Sequence, residues 1–131
     1  MILWRILVVD DEEQVALTIQ RGLAKLPGCD VAIASNGGEA QQLLERQPFD
    51  LLITDYRMPG MDGITLAELA RQLCPQLVII LMTAYNSDEL REQAALSSVR
   101  CILDKPVRLT EIRCVALEAL GESRDEAQPP C

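Results

Sequence analysis

Ile6-Leu7-Val8-Val9-Asp10-Asp11 is the first recognisable element of the chain. Four consecutive apolar residues suit a central strand of a parallel sheet, buried on both faces. The two carboxylates then stand at the C-terminal end of that strand. Three further stretches repeat the pattern. Leu51-Leu52-Ile53-Thr54 runs into Asp55, Val78-Ile79-Ile80-Leu81-Met82 into Thr83, and Cys101-Ile102-Leu103-Asp104 into Lys105-Pro106. Parallel strands of one sheet end along one edge, where open α/β sheets place their ligands. Three carboxylates, a hydroxyl and an ammonium are therefore expected in one crevice.

Between these runs the hydrophobic period changes to that of helices. A helix is expected over 13–26, with Val15, Leu17, Ile19, Leu23 and Leu26 inward, stopped by Pro27-Gly28. A short strand at 30–34 and the turn Ser35-Asn36-Gly37-Gly38 lead to a helix over 39–46, with Ala40, Leu43 and Leu44 on one side. After the strand at 51–54, the segment from Tyr56 to Gly63 reads as a loop by its Pro and Gly content. A helix at 64–73, a strand at 77–82, a helix ending near Ala95 and capped by Asn86 or Ser87, a strand at 99–103 and a helix at 109–120 complete the pattern. Alternation of this kind implies right-handed crossovers and a three-layer α/β sandwich, (βα)5, around a five-stranded parallel sheet.

With 131 residues the chain has room for one core, assigned to a domain at 1–120, followed by a polar tail or start of a linker at 121–131. The composition is 49% apolar and 24% charged, as in ordinary globular domains. No apolar run approaches the ~20 residues of a membrane span, and Met1-Ile2-Leu3-Trp4 lacks the basic region of a signal peptide, so a cytoplasmic location without membrane contact is expected. A net charge of −8 argues against direct nucleic-acid binding by this segment. The five cysteines, at 29, 74, 101, 114 and 131, form no C-x-x-C pair; about four are expected in or near the core, with Cys131 a free thiol in the tail. Histidine is absent, which excludes Ser-His and Cys-His catalysis and His-ligated metals within this chain.

The remaining chemistry rests on oxygen and one ammonium. Asp10, Asp11 and Asp55 would concentrate negative charge that only a cation relieves. A site of oxygen ligands without His or Cys selects a hard ion, Mg²⁺ or Mn²⁺. Lys105 can pair with Asp55, and Thr83 can donate to an oxyanion. A carboxylate beside a metal, a lysine and a hydroxyl suits phosphoryl transfer onto Asp55, giving a labile aspartyl phosphate. The Lys105–Pro106 bond is a candidate for cis geometry.

The motifs ILVVDDE at 6–12, DLLITDYRMPGMDG at 50–63, MTAY at 82–85 and LDKP at 103–106 resemble those of the receiver domain of bacterial two-component response regulators, over roughly residues 4–120. The resemblance implies the flavodoxin-like, chemotaxis-regulator-like fold with strand order 2-1-3-4-5. It implies Asp55 as phosphoacceptor, Asp11 as direct Mg²⁺ ligand, Asp10 as ligand mainly through water, and the Arg57 carbonyl as a further ligand. Thr83 and Lys105 would contact the phosphoryl group. The implied partners are a sensor histidine kinase or histidine phosphotransfer protein as donor, an effector domain or target protein, and a second copy of the chain. Ile102 stands where the family has an aromatic switch residue, and Ser97-Ser98 where it often has Gly-Ala. Arg57 and Tyr85 are expected to flank the approach of water and slow dephosphorylation.

Three rival readings stand beside this one. An aspartate-nucleophile phosphatase would need an acid where Arg57 stands. A dinucleotide-binding module would need glycines where Asp10-Asp11-Glu12-Glu13 stands. A receiver-like docking module that works without phosphorylation has Ile102 as its main support.

Overall fold

The computed structural model describes residues 3–127, with side chains to Gly121. Five strands and five helices alternate: β1 (Trp4–Val9), α1 (Glu13–Ala24), β2 (Cys29–Ala34), α2 (Gly37–Arg46), β3 (Leu51–Asp55), α3 (Gly63–Leu73), β4 (Val78–Thr83), α4 (Asp88–Leu96), β5 (Cys101–Asp104) and α5 (Leu109–Ala127). All strand pairs are parallel, in the order β2-β1-β3-β4-β5. The order reverses between β1 and β3, so a crevice opens there at the C-terminal edge.

Alternation along each strand divides the core in two. Ile6, Val8, Ile53, Ile80 and Met82 face Ile19, Leu23, Ile112 and Ala116 of α1 and α5. Leu7, Val9, Leu52 and Ile79 face Ala40, Leu44, Leu66 and Ala70 of α2 and α3. In α1 the core position falls to Ala16 and not to Leu17, which is half-buried. Three helices start on side-chain caps: Asn36 accepts from the Glu39 amide, Asp62 from Thr65 and Ser87 from Leu90.

Two expectations need correction. The last helix does not stop at Leu120 but continues through Gly121 to Ala127. A single glycine costs only ~1 kcal/mol in a helix, and the residues after it carry helix-forming Glu, Arg and Ala before the first proline at 129. Residues 128–131, and with them Cys131 and the end of the expected tail, lie outside the described residues. Cys114 is exposed, whereas Cys29, Cys74 and Cys101 are half-buried. In α5 the inward positions are Ile112, Ala116, Ala119 and Leu120, which turns Cys114 outward. Among the described residues no helix is long and apolar enough to cross a membrane.

Candidate functional site at the sheet edge

The strands deliver their terminal side chains to one place. Asp10 follows β1 and is fully buried, Asp55 ends β3 at 7% exposure, and Thr83 ends β4 at 1%. Asp11 is exposed beside them. One oxygen from each of Asp10, Asp11 and Asp55 lies within 4.8 Å of the others. Lys105, just past β5, sends its ammonium into the group, 3.0 Å from Asp10 Oδ2 and 3.2 Å from Asp55 Oδ2. The other Asp10 oxygen accepts the Glu12 amide at 2.9 Å. The Lys105–Pro106 peptide bond is cis, as the sequence suggested.

Burial is the main reason that the Asp55 carboxyl is held above its ordinary pKa; the Asp10 charge adds to it, Lys105 opposes it, and Asp11 adds a smaller push. For Lys105, burial alone would lower the pKa, but the bonds and charges of Asp10 and Asp55 outweigh it and the ammonium is held above its usual range. One ammonium thus faces three carboxylates. The excess negative charge, the all-oxygen donor set and the spacing fit a hard divalent cation, with several positions left to water.

The loop from Tyr56 to Asp62 is folded tightly back on the strand ends. The Tyr56 amide donates to the Met82 carbonyl at 2.8 Å, and the Gly63 amide to the Tyr56 carbonyl at 2.7 Å. Gly63 passes so close that a Cβ there would lie 2.5 Å from the Asp55 carbonyl oxygen. Met58, buried, anchors the loop, while Arg57 is exposed at its mouth. The Arg57 guanidinium lies over the ring of Tyr85, 4.6 Å from its centroid.

Asp10, Asp11, Asp55 and Lys105 are brought together as the sequence suggested. Thr83 shares the edge, but its hydroxyl is engaged elsewhere, accepting the Tyr85 amide at 3.0 Å. The sequence places Arg57 and Tyr85 at the mouth of the site but carries no sign that they stack. Also missed was Asn86, whose Nδ2 donates to Asp104 Oδ1 at 3.1 Å. Of the two residues that the sequence offers for the α4 cap, Ser87 takes it, and Asn86 is left for a partner 18 residues away.

Comparison with known proteins agrees with this geometry. The sequence profile described as "Response regulator receiver domain" matches residues 6–116. The response regulator protein PilR of Pseudomonas aeruginosa is 38% identical over 124 residues, covering 93% of this chain and 27% of that protein. The DNA-binding transcriptional regulator NtrC of Escherichia coli is 31% identical over 122 residues, covering 93% and 26%. The chain thus spans about a quarter of the length of these curated relatives. Among solved structures, a CheY-like receiver domain protein from Methanospirillum hungatei superposes with a TM-score of 0.90 at 31% identity, covering 95% of this chain and 98% of that one. A response regulator from Burkholderia pseudomallei, solved with a phosphorylated aspartic acid, calcium ion and citrate, gives 0.81 at 28% identity, covering 97% and 75%. On the match across its length and the agreement of its fold, the chain belongs to the response regulator receiver domain family of two-component signalling.

Proposed function

We propose that Asp55 takes a phosphoryl group from a partner phosphohistidine, on a sensor histidine kinase or a histidine phosphotransfer protein. The observation that carries this reading is the Lys105 ammonium held between Asp10 and Asp55, at 3.0 and 3.2 Å, at the end of a buried strand. An Asp55 oxygen attacks phosphorus; the P–O bond forms as the P–N bond breaks, and the donor imidazole leaves with a proton from solvent. Burial makes Asp55 a stronger base than an exposed carboxylate, and so a better nucleophile. Lys105 can follow the charge from Asp55 to the phosphoryl oxygens, and Thr83 can turn its hydroxyl toward one of them.

Asp10, Asp11 and Asp55, with the Arg57 backbone carbonyl, would hold Mg²⁺ or Mn²⁺. When bound, that ion supplies positive charge to the phosphoryl oxygens. Asp10 would act mainly through water, since its two oxygens already accept the Glu12 amide and Lys105. The domain is read as a cytoplasmic signalling unit that catalyses only its own phosphorylation and dephosphorylation. Its output passes to an effector domain or a target protein, or through pairing with a second copy. PilR and NtrC are several times longer than this chain, and NtrC is a DNA-binding transcriptional regulator, which favours an effector domain.

Intact-protein mass after incubation with acetyl phosphate tests this. A gain of one phosphoryl group that requires Mg²⁺ and is lost in Asp55→Asn is the expected result. No gain from acetyl phosphate or from a phosphorylated kinase would overturn the reading in favour of a docking module that works without phosphorylation.

A further inference from the structure

Thr54 is fully buried, one residue before Asp55. Its partners in register, Val9 on β1 and Leu81 on β4, are apolar and equally buried. By strand alternation it shares the face of Leu52, which packs against α2 and α3. Valine would fill such a position with the same shape and no polar atom. A hydroxyl there is cut off from water and is costly unless it is bonded. It donates to the Asp55 carbonyl at 3.0 Å. That carbonyl belongs to the peptide unit by which the chain leaves β3. The other polar group of the same unit, the Tyr56 amide, donates to the Met82 carbonyl at 2.8 Å. Peptide units are planar, so this one is held at both edges, by a side chain on one and by β4 on the other. Gly63 closes the space around the same oxygen, since a Cβ there would lie 2.5 Å from it. The loop is also fixed on its return, where the Gly63 amide donates to the Tyr56 carbonyl and Asp62 caps α3.

We propose that the Thr54 hydroxyl is a positioning group for the metal site: it fixes the peptide plane between Asp55 and Tyr56, and through that plane the aim of the Arg57 carbonyl. The inference rests on the reading that this carbonyl ligates the divalent cation. Successive peptide planes share a Cα, so a tilt at 55–56 is passed to the carbonyl of Arg57 through only two pairs of backbone dihedrals. Without the hydroxyl the plane is held only at the Tyr56 amide and can rock about that bond. Mg²⁺ demands near-ideal octahedral geometry, whereas Ca²⁺ accepts irregular arrangements of oxygen. A carbonyl of uncertain aim therefore weakens Mg²⁺ more than Ca²⁺. On this view the buried hydroxyl sets the preference of the site between two hard cations, although it touches neither.

Calorimetric titration of the whole chain with Mg²⁺ and with Ca²⁺, on wild type, Thr54→Val and Thr54→Ser, tests this. Thr54→Val should weaken Mg²⁺ binding about fivefold, the scale of one ordinary hydrogen bond, and Ca²⁺ binding by less. Thr54→Ser loses a buried methyl and should melt below wild type, yet it keeps the hydroxyl and should bind Mg²⁺ as wild type does. A role confined to packing would give the opposite pattern, with affinity following stability. In the metal-free protein, hydrogen exchange of the Tyr56 amide, read by NMR, should be faster in Thr54→Val than in Thr54→Ser. Equal Mg²⁺ affinity in wild type and Thr54→Val, equal weakening by the two variants, or the same loss for both ions would each overturn the proposal. If wild type binds neither ion, the reading of the metal site falls and takes this role with it. Exchange at Tyr56 distinguishes that outcome from a hydroxyl that does not hold the plane at all.

Discussion

Ile53 and Asp55 stand two residues apart on β3 and are almost equally hidden from water, at 0% and 7% exposure. Their energetic consequences are opposite. Ile53 faces α1 and α5 and contributes the ~1.5–3 kcal/mol of a buried aliphatic side chain. Asp55 is a carboxylate kept in the same dry environment beside Asp10, and ionising it there costs free energy that its single ammonium only partly returns. The body of the strand holds the fold together, and its tip works against it. Under the proposed function this unrelieved charge is what a bound cation would neutralise.

Breaking the contrast at its stable side has the largest effect. Ile53→Ala should lower the unfolding free energy by about 2–5 kcal/mol, read from urea denaturation. Because the cavity lies below the site, the drop should be the same with and without Mg²⁺.

Asp55→Asn should move stability the other way. The folded-state pKa of Asp55 is raised, so the folded protein holds this proton more tightly than the unfolded chain does, and stability falls as pH rises through the interval between the two values. The variant should therefore match wild type at acid pH, where Asp55 is protonated. It should melt at a higher temperature than wild type at neutral pH without metal, by calorimetry. Saturating Mg²⁺ should narrow the difference by stabilising the wild type more, by roughly 2.7 kcal/mol at a hundredfold excess over Kd. An equal melting temperature at every pH would remove the opposition between tip and body.

The smallest effect concerns the mouth of the site. Stacking of an exposed guanidinium on an aromatic ring is worth about 0.5–1 kcal/mol. If that contact must open to admit water to phosphorylated Asp55, Arg57→Ala with Tyr85→Ala should shorten the phosphorylated half-life about two- to fivefold, by loss of the added mass with time. An unchanged half-life would leave the pair as surface decoration.

The apolar runs made the strands legible, because a central parallel strand such as Leu51–Asp55 must be apolar on both faces and can be polar only where it leaves the sheet. For the same reason the sequence alone places Asp10, Asp55 and Lys105 at the sheet edge. The helix faces were less plain. Leu17 carries more apolar surface than Ala16, yet packing against the sheet left room inward for the smaller residue. Cys114 looked like a core residue by type, and its outward place follows only from the phase set by Ile112 and Ala116. The end of α5 was read from Gly121, a signal too weak to stop a helix among good helix formers. The contacts of Asn86 with Asp104 and of Arg57 with Tyr85 leave no local pattern, since each depends on how a loop returns across the sheet edge.

Gly63 carries no charge and touches no substrate, yet the missing Cβ at this position is what lets α3 begin against the Asp55 carbonyl. A saturation mutagenesis screen scored on signalling would rank position 63 beside the aspartates, and loss of function there would mimic loss of a reacting group. The pattern across substitutions tells them apart. At Asp55 the outcome follows chemistry, with Glu and Asn differing; at Gly63 even Ala is a steric intruder, and side-chain polarity makes no difference.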